Sequence, residues 1–288
     1  MLFFSFVLLL LSAGAINFDE HQRISHDTFY LGKQKHPRER LREVEGYAFT
    51  HTHQNAPAAH FLPSTSKAIH FGRANFTVPD RKRSSSSPST HHPACTSAIA
   101  NGAVWKTSHG YYINTQNMQY LTSRFIVACI EQALDAWNCA LLSQNRLIIG
   151  PLLGVRQNLS GRDINVKAPD GENSIGIGGI EGKRGTIAVT VVWGIFSGPE
   201  SQREIVEFKM VFDGSHYRFG NSSTTRGLID LASTATHEMG HAFGREDIYD
   251  PSCADVTMYG SSNENEIKKR TLEPADVEGI RQLYPKQQ

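Results

Sequence analysis

Net charge is the first thing this sequence lacks: 29 basic against 28 acidic side chains leave a formal +1 over 288 residues. No global field attracts nucleic acid, so that class of partner is not expected. Long apolar runs are also missing beyond the first residues. The run from Leu2 to Leu11, broken only by Ser5, is too short to span a bilayer, and no later stretch reads as a membrane anchor. Cysteine is scarce. The four residues Cys95, Cys129, Cys139 and Cys253 contain no C-x-x-C pair, which argues against a cysteine zinc site. No internal repeat is visible, so an array of repeated units is not expected.

What is present begins at the amino terminus. The apolar run is followed by Ala13, Gly14 and Ala15, and small residues at Ala13 and Ala15 suit a signal peptidase. Residues 1–15 are therefore predicted to be a signal peptide, although no Lys or Arg precedes the run. A secreted, extracellular chain is expected. In an oxidising compartment the cysteines favour disulfides, and three pairings are open. Cys129 and Cys139 lie on a predicted helix, about 15 Å apart along its axis, which disfavours joining them to each other. Asn75, Asn158 and Asn221 head Asn-x-Ser/Thr sequons and would be glycosylation sites in a eukaryotic source.

Residues 16–83 are polar, and nine of the 13 histidines precede Pro93. This segment does not read as core and is predicted to be a propeptide. Arg81, Lys82 and Arg83, followed by Ser84 to Ser87 and Pro88, read as an exposed processing site. Residues 84–94 would be linker and 95–288 the main folded domain.

Within that domain, "VWKTSHGYYINTQ" reads as a first strand or hairpin. Phe125, Ile126, Cys129, Ile130, Ala133, Trp137, Ala140 and Leu141 recur at helical spacing and predict a long helix with one apolar face. Four strand candidates follow in "NRLIIGPLLG", "ENSIGIGGI", "GTIAVTVVWGIF" and "REIVEFKMVF". A second helix is predicted from about Leu228 to Phe243, and a last one opens at Pro274.

The second helix carries "THEMGHAFGRED". Residues four apart stack one turn above each other, so His237 and His241 can offer imidazole nitrogens to one ion while Glu238 sits beside them as the base for a water. Gly244 can end the helix in a left-handed conformation and turn the chain so that Asp247 reaches the same ion. Two imidazoles and one carboxylate, with a fourth position left to water, is a catalytic rather than a structural zinc arrangement. Chance would produce a bare H-E-x-x-H on the order of 0.03 times per chain of this size, and the extended motif about once in ten thousand.

These residues resemble the metzincin clan and, within it, the matrixin-like peptidases, whose zinc motif continues past the glycine to a third ligand and a Met-turn. "CADVTMYG" resembles that turn and places Met258 beneath the metal, as a base rather than a ligand. Tyr259 follows it directly and is left out of the zinc shell. "LEPADVEGIRQLYP" resembles the family's closing helix, "GTIAVTVVW" its substrate-lining edge strand, and "ACIEQALDAW" its first helix.

The resemblance implies an α+β fold: a twisted, mostly parallel five-stranded sheet with two long helices and a small C-terminal part. It also implies one catalytic Zn2+ held by His237, His241 and Asp247, with Glu238 as catalytic base, and leaves room for a structural Ca2+. The implied activity is hydrolysis of peptide bonds by a monomer acting on protein or peptide substrates. Two departures stand out. Asp247 replaces the commoner third histidine, with Glu246 and Asp250 as neighbouring carboxylates, and no cysteine precedes Arg83 to serve as a cysteine switch. A catalytically silent zinc-binding module, or a zinc hydrolase of a non-peptide bond, are the alternative readings of the same residues.

Overall fold

The computed structural model describes residues 22–24, 27–38, 42–54, 95–96, 102–116, 120–143, 149–156, 164–180 and 185–286. The signal peptide, the basic triplet, the linker as far as residue 94, Asn75 and Asn158 lie outside these residues.

The strands are β1 (Gln22–Arg23), β2 (Thr28–Lys35), β3 (Glu43–His53), β4 (Val104–Trp105), β5 (His109–Asn114), β6 (Ile149–Arg156), β7 (Asn173–Gly178), β8 (Thr186–Ile195), β9 (Glu204–Asp213), β10 (Phe219–Gly220), β11 (Ile229–Asp230) and β12 (Ser261–Ser262). The helices are α1 (Ser123–Leu142), α2 (Leu231–Ala242) and α3 (Pro274–Leu283). The fold is α+β. β5 to β9 form the expected five strands in the order β6-β5-β7-β9-β8, parallel except where β8 runs antiparallel to β9. β4 and β5 do not form a hairpin with each other, because β4 pairs with β9 and β5 with β6 and β7.

The amino-terminal segment extends this five-stranded sheet. β8 is not an edge here: β3 pairs antiparallel along it, β2 pairs with β3, and the sheet reaches ten strands. Residues 16–83 were read as outside any core, yet Phe29, Leu31, Val44, Ala48 and Phe49 are buried. The physical reason is alternation. A strand that buries one side chain in two is only half apolar, and its average composition looks polar.

Alternation also divides β8 between two cores. Val189, Val191 and Trp193 pack with Phe29, Leu31, Val44 and Ala48 on one face, whereas Val192 joins the helical core on the other. A strand buried on both faces reads as a continuous apolar run. On α1, Ile126, Cys129, Ile130, Ala133, Leu134, Trp137 and Leu141 are buried, and Thr122 caps the helix by accepting the N–H of Phe125 at 3.2 Å. By length and composition α1 is also apolar enough to cross a membrane, contrary to the sequence expectation, although half of that window is buried inside the protein. Cys95 and Cys253 form a disulfide, while Cys129 and Cys139 are free thiols.

Candidate metal centre

α2 starts where Asp230 accepts the N–H of Ser233 at 2.9 Å, and Arg270 holds that carboxylate with Nε 2.8 Å from Oδ1. Its other end is a Schellman turn. The Gly244 N–H reaches the His241 carbonyl at 2.9 Å and the Arg245 N–H reaches that of Gly240 at 2.9 Å, with Gly244 at φ +98°. That reversal carries the chain back so that Asp247 faces the helix. Asp250 is occupied elsewhere, accepting the N–H of Ser252 at 2.9 Å.

The turn brings together all three sequence-predicted ligands. His237 Nε2 and His241 Nε2 are 3.2 Å apart, and Asp247 Oδ1 lies 3.1 Å from the first and 3.5 Å from the second. Donors bound tetrahedrally to zinc at about 2.0–2.1 Å are separated by roughly 3.3–3.4 Å, so this triangle has the size of one face of such a site. The outer ring nitrogens fix the tautomers. Nδ1 of His237 donates to the carbonyl of Thr257 and Nδ1 of His241 to that of Arg245, each at 2.8 Å, which turns both Nε2 atoms inward. Neither carboxylate oxygen of Asp247 has a hydrogen-bond donor. A buried cluster of inward lone pairs beside a carboxylate needs positive charge at its centre, and this donor set fits zinc.

Burial and mutual charge act on all three groups. Burial holds His237 down at about 4 despite the pull of Asp247. For His241 burial acts downward too, but Asp247, Glu238 and the Arg245 carbonyl together outweigh it and the net direction is upward. Burial would raise Asp247, yet the two imidazoles win and hold it well below the usual carboxylate range.

Glu238 is fully buried. Thr190, on β8, donates its hydroxyl to Oε2 at 2.5 Å, and Oε1 has no hydrogen-bond partner. Burial pushes this carboxyl up to about 7, against the opposing pulls of His241 and Thr190. Met258 is buried beneath α2, close enough that a Cβ on Gly240 would sit 2.2 Å from its sulfur.

Sequence reading missed one residue near the centre. His51, on β3, is fully buried with its ring centroid 3.9 Å from that of His237. It forms a second possible ligand triplet with His237 and Asp247, one donor atom of each lying within 4.8 Å of the others. Burial holds its imidazole well below the usual range. The signal was available, because Tyr47, Phe49, His51 and His53 alternate as a strand would. Among the described residues no second group of three His, Cys, Asp or Glu side chains converges, so the calcium expectation gains no support.

A family model described as Matrixin matches residues 104–285, well over half of the chain. No curated protein sequence matches. Among solved structures, the chain is similar to metalloproteinase-II from Bacteroides fragilis at 13% identity and a TM-score of 0.36, over 68% of this chain and 60% of that one. The aligned region thus spans less than two thirds of that protein, and a likeness this distant carries no argument here.

Proposed function

The chain belongs to the matrixin family, and from that premise we propose that it is a secreted zinc-dependent endopeptidase that hydrolyses extracellular proteins. The observation that supports this best is the triangle of His237, His241 and Asp247, with inward-facing nitrogens, an unpartnered carboxylate and a zinc-sized spacing. When bound there, zinc supplies Lewis-acid polarisation of a carbonyl and makes water more acidic.

The remaining chemistry belongs to the chain. Glu238, poised near neutrality, takes a proton from water at Oε1 and passes it to the leaving amine, while Thr190 holds Oε2 in place. With β3 displaced, β8 would offer its backbone to an extended substrate, so binding would depend on main-chain pairing more than on side chains. Processing at Arg81 to Arg83 would part the propeptide from the catalytic unit, and secretion would follow from the signal at 1–15.

The test uses processed protein and unfolded protein substrates, with and without a chelator. Cleavage should be abolished by the chelator. Glu238→Gln should lose about 10²- to 10⁴-fold in kcat while retaining its zinc. Chelator-insensitive cleavage, or none by zinc-loaded processed protein, would count against the proposal.

A further inference from the structure

We infer that β3 is a built-in occupant of the substrate cleft and that His51 is a fourth protein ligand to the metal. This rests on the reading of His237, His241 and Asp247 as metal ligands.

The strand geometry comes first. β3 pairs antiparallel with β8 from Glu45, opposite Gly194, to Thr52, opposite Thr186. Its other side is engaged as well, where Thr52 and His53 pair in parallel with Ser261 and Ser262 of β12. β12 follows the Met258 turn directly. The end of β3 therefore threads a slot with β8 on one side and the post-Met segment on the other, the place an extended peptide would need. The fit is close along its length. A Cβ at Gly46 would lie 2.4 Å from the ring of Trp193, so only glycine lets that indole close over β3.

The side chains lie over the metal donors. Phe49 stacks on His241 at 4.7 Å between centroids, and His51 sits on His237. Under them His237, Glu238 and His241 are all 0% exposed, so no polypeptide reaches Glu238 while β3 is in place. One nitrogen of His51, Nε2, is 2.9 Å from the hydroxyl of Ser262, which fixes the ring. The other, Nδ1, is buried with no hydrogen-bond partner. A ring nitrogen of His51 lies within 4.8 Å of donor atoms on both His237 and Asp247. A buried imidazole with one unpartnered nitrogen, converging with His237 and Asp247, is suited to act as a further ligand. Coordination by His51 fills the position that water needs, and the chain with β3 docked is latent. The basic triplet lies in sequence between His53 and Cys95, so a cut there leaves β3 held to the unit that carries the other ligands by strand pairing and packing alone.

X-ray absorption at the zinc edge of the full-length, zinc-loaded chain counts imidazole ligands without any substitution. Three are expected, and two would overturn the inference. A second measurement uses the cobalt-substituted chain and acetohydroxamate. The wild-type visible bands should not respond, whereas His51→Ala and the ring-preserving His51→Phe should shift their bands and bind the hydroxamate at least about tenfold more tightly. Equal responses in wild type and both variants, with cobalt bound, would also overturn it. The failure of the metal reading looks different: the full-length chain would then bind neither zinc nor cobalt.

Discussion

The backbone carbonyl of Thr257 accepts the Nδ1–H of His237 at 2.8 Å, so the loop ahead of Met258 sets the orientation of that imidazole. That loop is in turn held by Asp276 near the start of α3. Its carboxylate accepts the N–H groups of Thr257 at 2.9 Å, Met258 at 3.3 Å and Glu273 at 2.9 Å. Asp276→Asn keeps the volume but turns an amide toward at least one of these donors. Leaving a buried N–H unpaired costs about 1–3 kcal/mol. Zinc affinity, measured by competition with a chromophoric chelator, should fall about tenfold because the orienting carbonyl moves. Unchanged affinity would mean that Thr257 does not depend on Asp276.

Gly240 faces Met258 and Trp137, where a Cβ would meet the methionine sulfur at 2.2 Å and the indole at 2.7 Å. Two effects compete in Gly240→Ala. Helix propensity favours alanine by about 1 kcal/mol, but overpacking a filled core costs about 1–3 kcal/mol. Both neighbours are buried large side chains, so overpacking should win. Thermal unfolding should occur at lower temperature in the variant, with reduced zinc retention because His237 and His241 flank the site. A more stable variant would show that Met258 moves aside easily.

The convergence of His237, His241 and Asp247 is legible in the sequence because it depends on local geometry. The i, i+4 spacing of His237 and His241 and the glycine turn to Asp247 are properties of one short segment. The helical face of α1 is legible for the same reason, whereas the parallel part of the sheet follows only from the family resemblance. What could not be read was the partner of β8, since pairing between β3 and β8 joins segments about 140 residues apart. His51 was passed over because a histidine in a polar stretch looks solvated until a second strand buries it. Thr190, Thr257 and Asp276 have no sequence signal for a related reason: each acts through hydrogen bonds that only the folded chain creates.

The Cys95–Cys253 disulfide closes a loop of 158 residues that contains α2 and Asp247. Removing a native disulfide typically costs about 2–5 kcal/mol. Cys95→Ala should lower Tm by roughly 4–20 °C, given the usual few degrees per kcal/mol at this size. Cys139→Ser, at an exposed free thiol, is the control and should change little. Added reductant should lower the wild-type Tm toward that of Cys95→Ala. If it lowers that of Cys95→Ala equally, the bond is not the cause.

Glu207 ties the amino-terminal hairpin to the central sheet. Its Oε2 lies 2.9 Å from His36 Nε2, just after β2, and its two oxygens accept the N–H groups of Asp170 at 3.0 Å and Gly171 at 2.6 Å. Lys209, fully buried, is 3.2 Å away. Burial would raise this carboxyl, but His36, Lys209 and the two amides together hold it below its ordinary 4.5. The sign follows from linkage. A depressed carboxyl contributes stability that is present above its unfolded pKa and disappears as pH falls through the folded value. Between pH 4.5 and the lower folded pKa, stability should therefore drop, by at most about 1.4 kcal/mol per pH unit for one proton. Glu207→Gln removes the titration and should flatten that part of the urea-unfolding profile, whatever it does to stability at neutral pH. Other carboxylates titrate in both proteins, so the difference between the two slopes isolates Glu207. Parallel profiles would show that the hairpin is held by its apolar contacts with Val189, Val191 and Trp193 rather than by this buried charge.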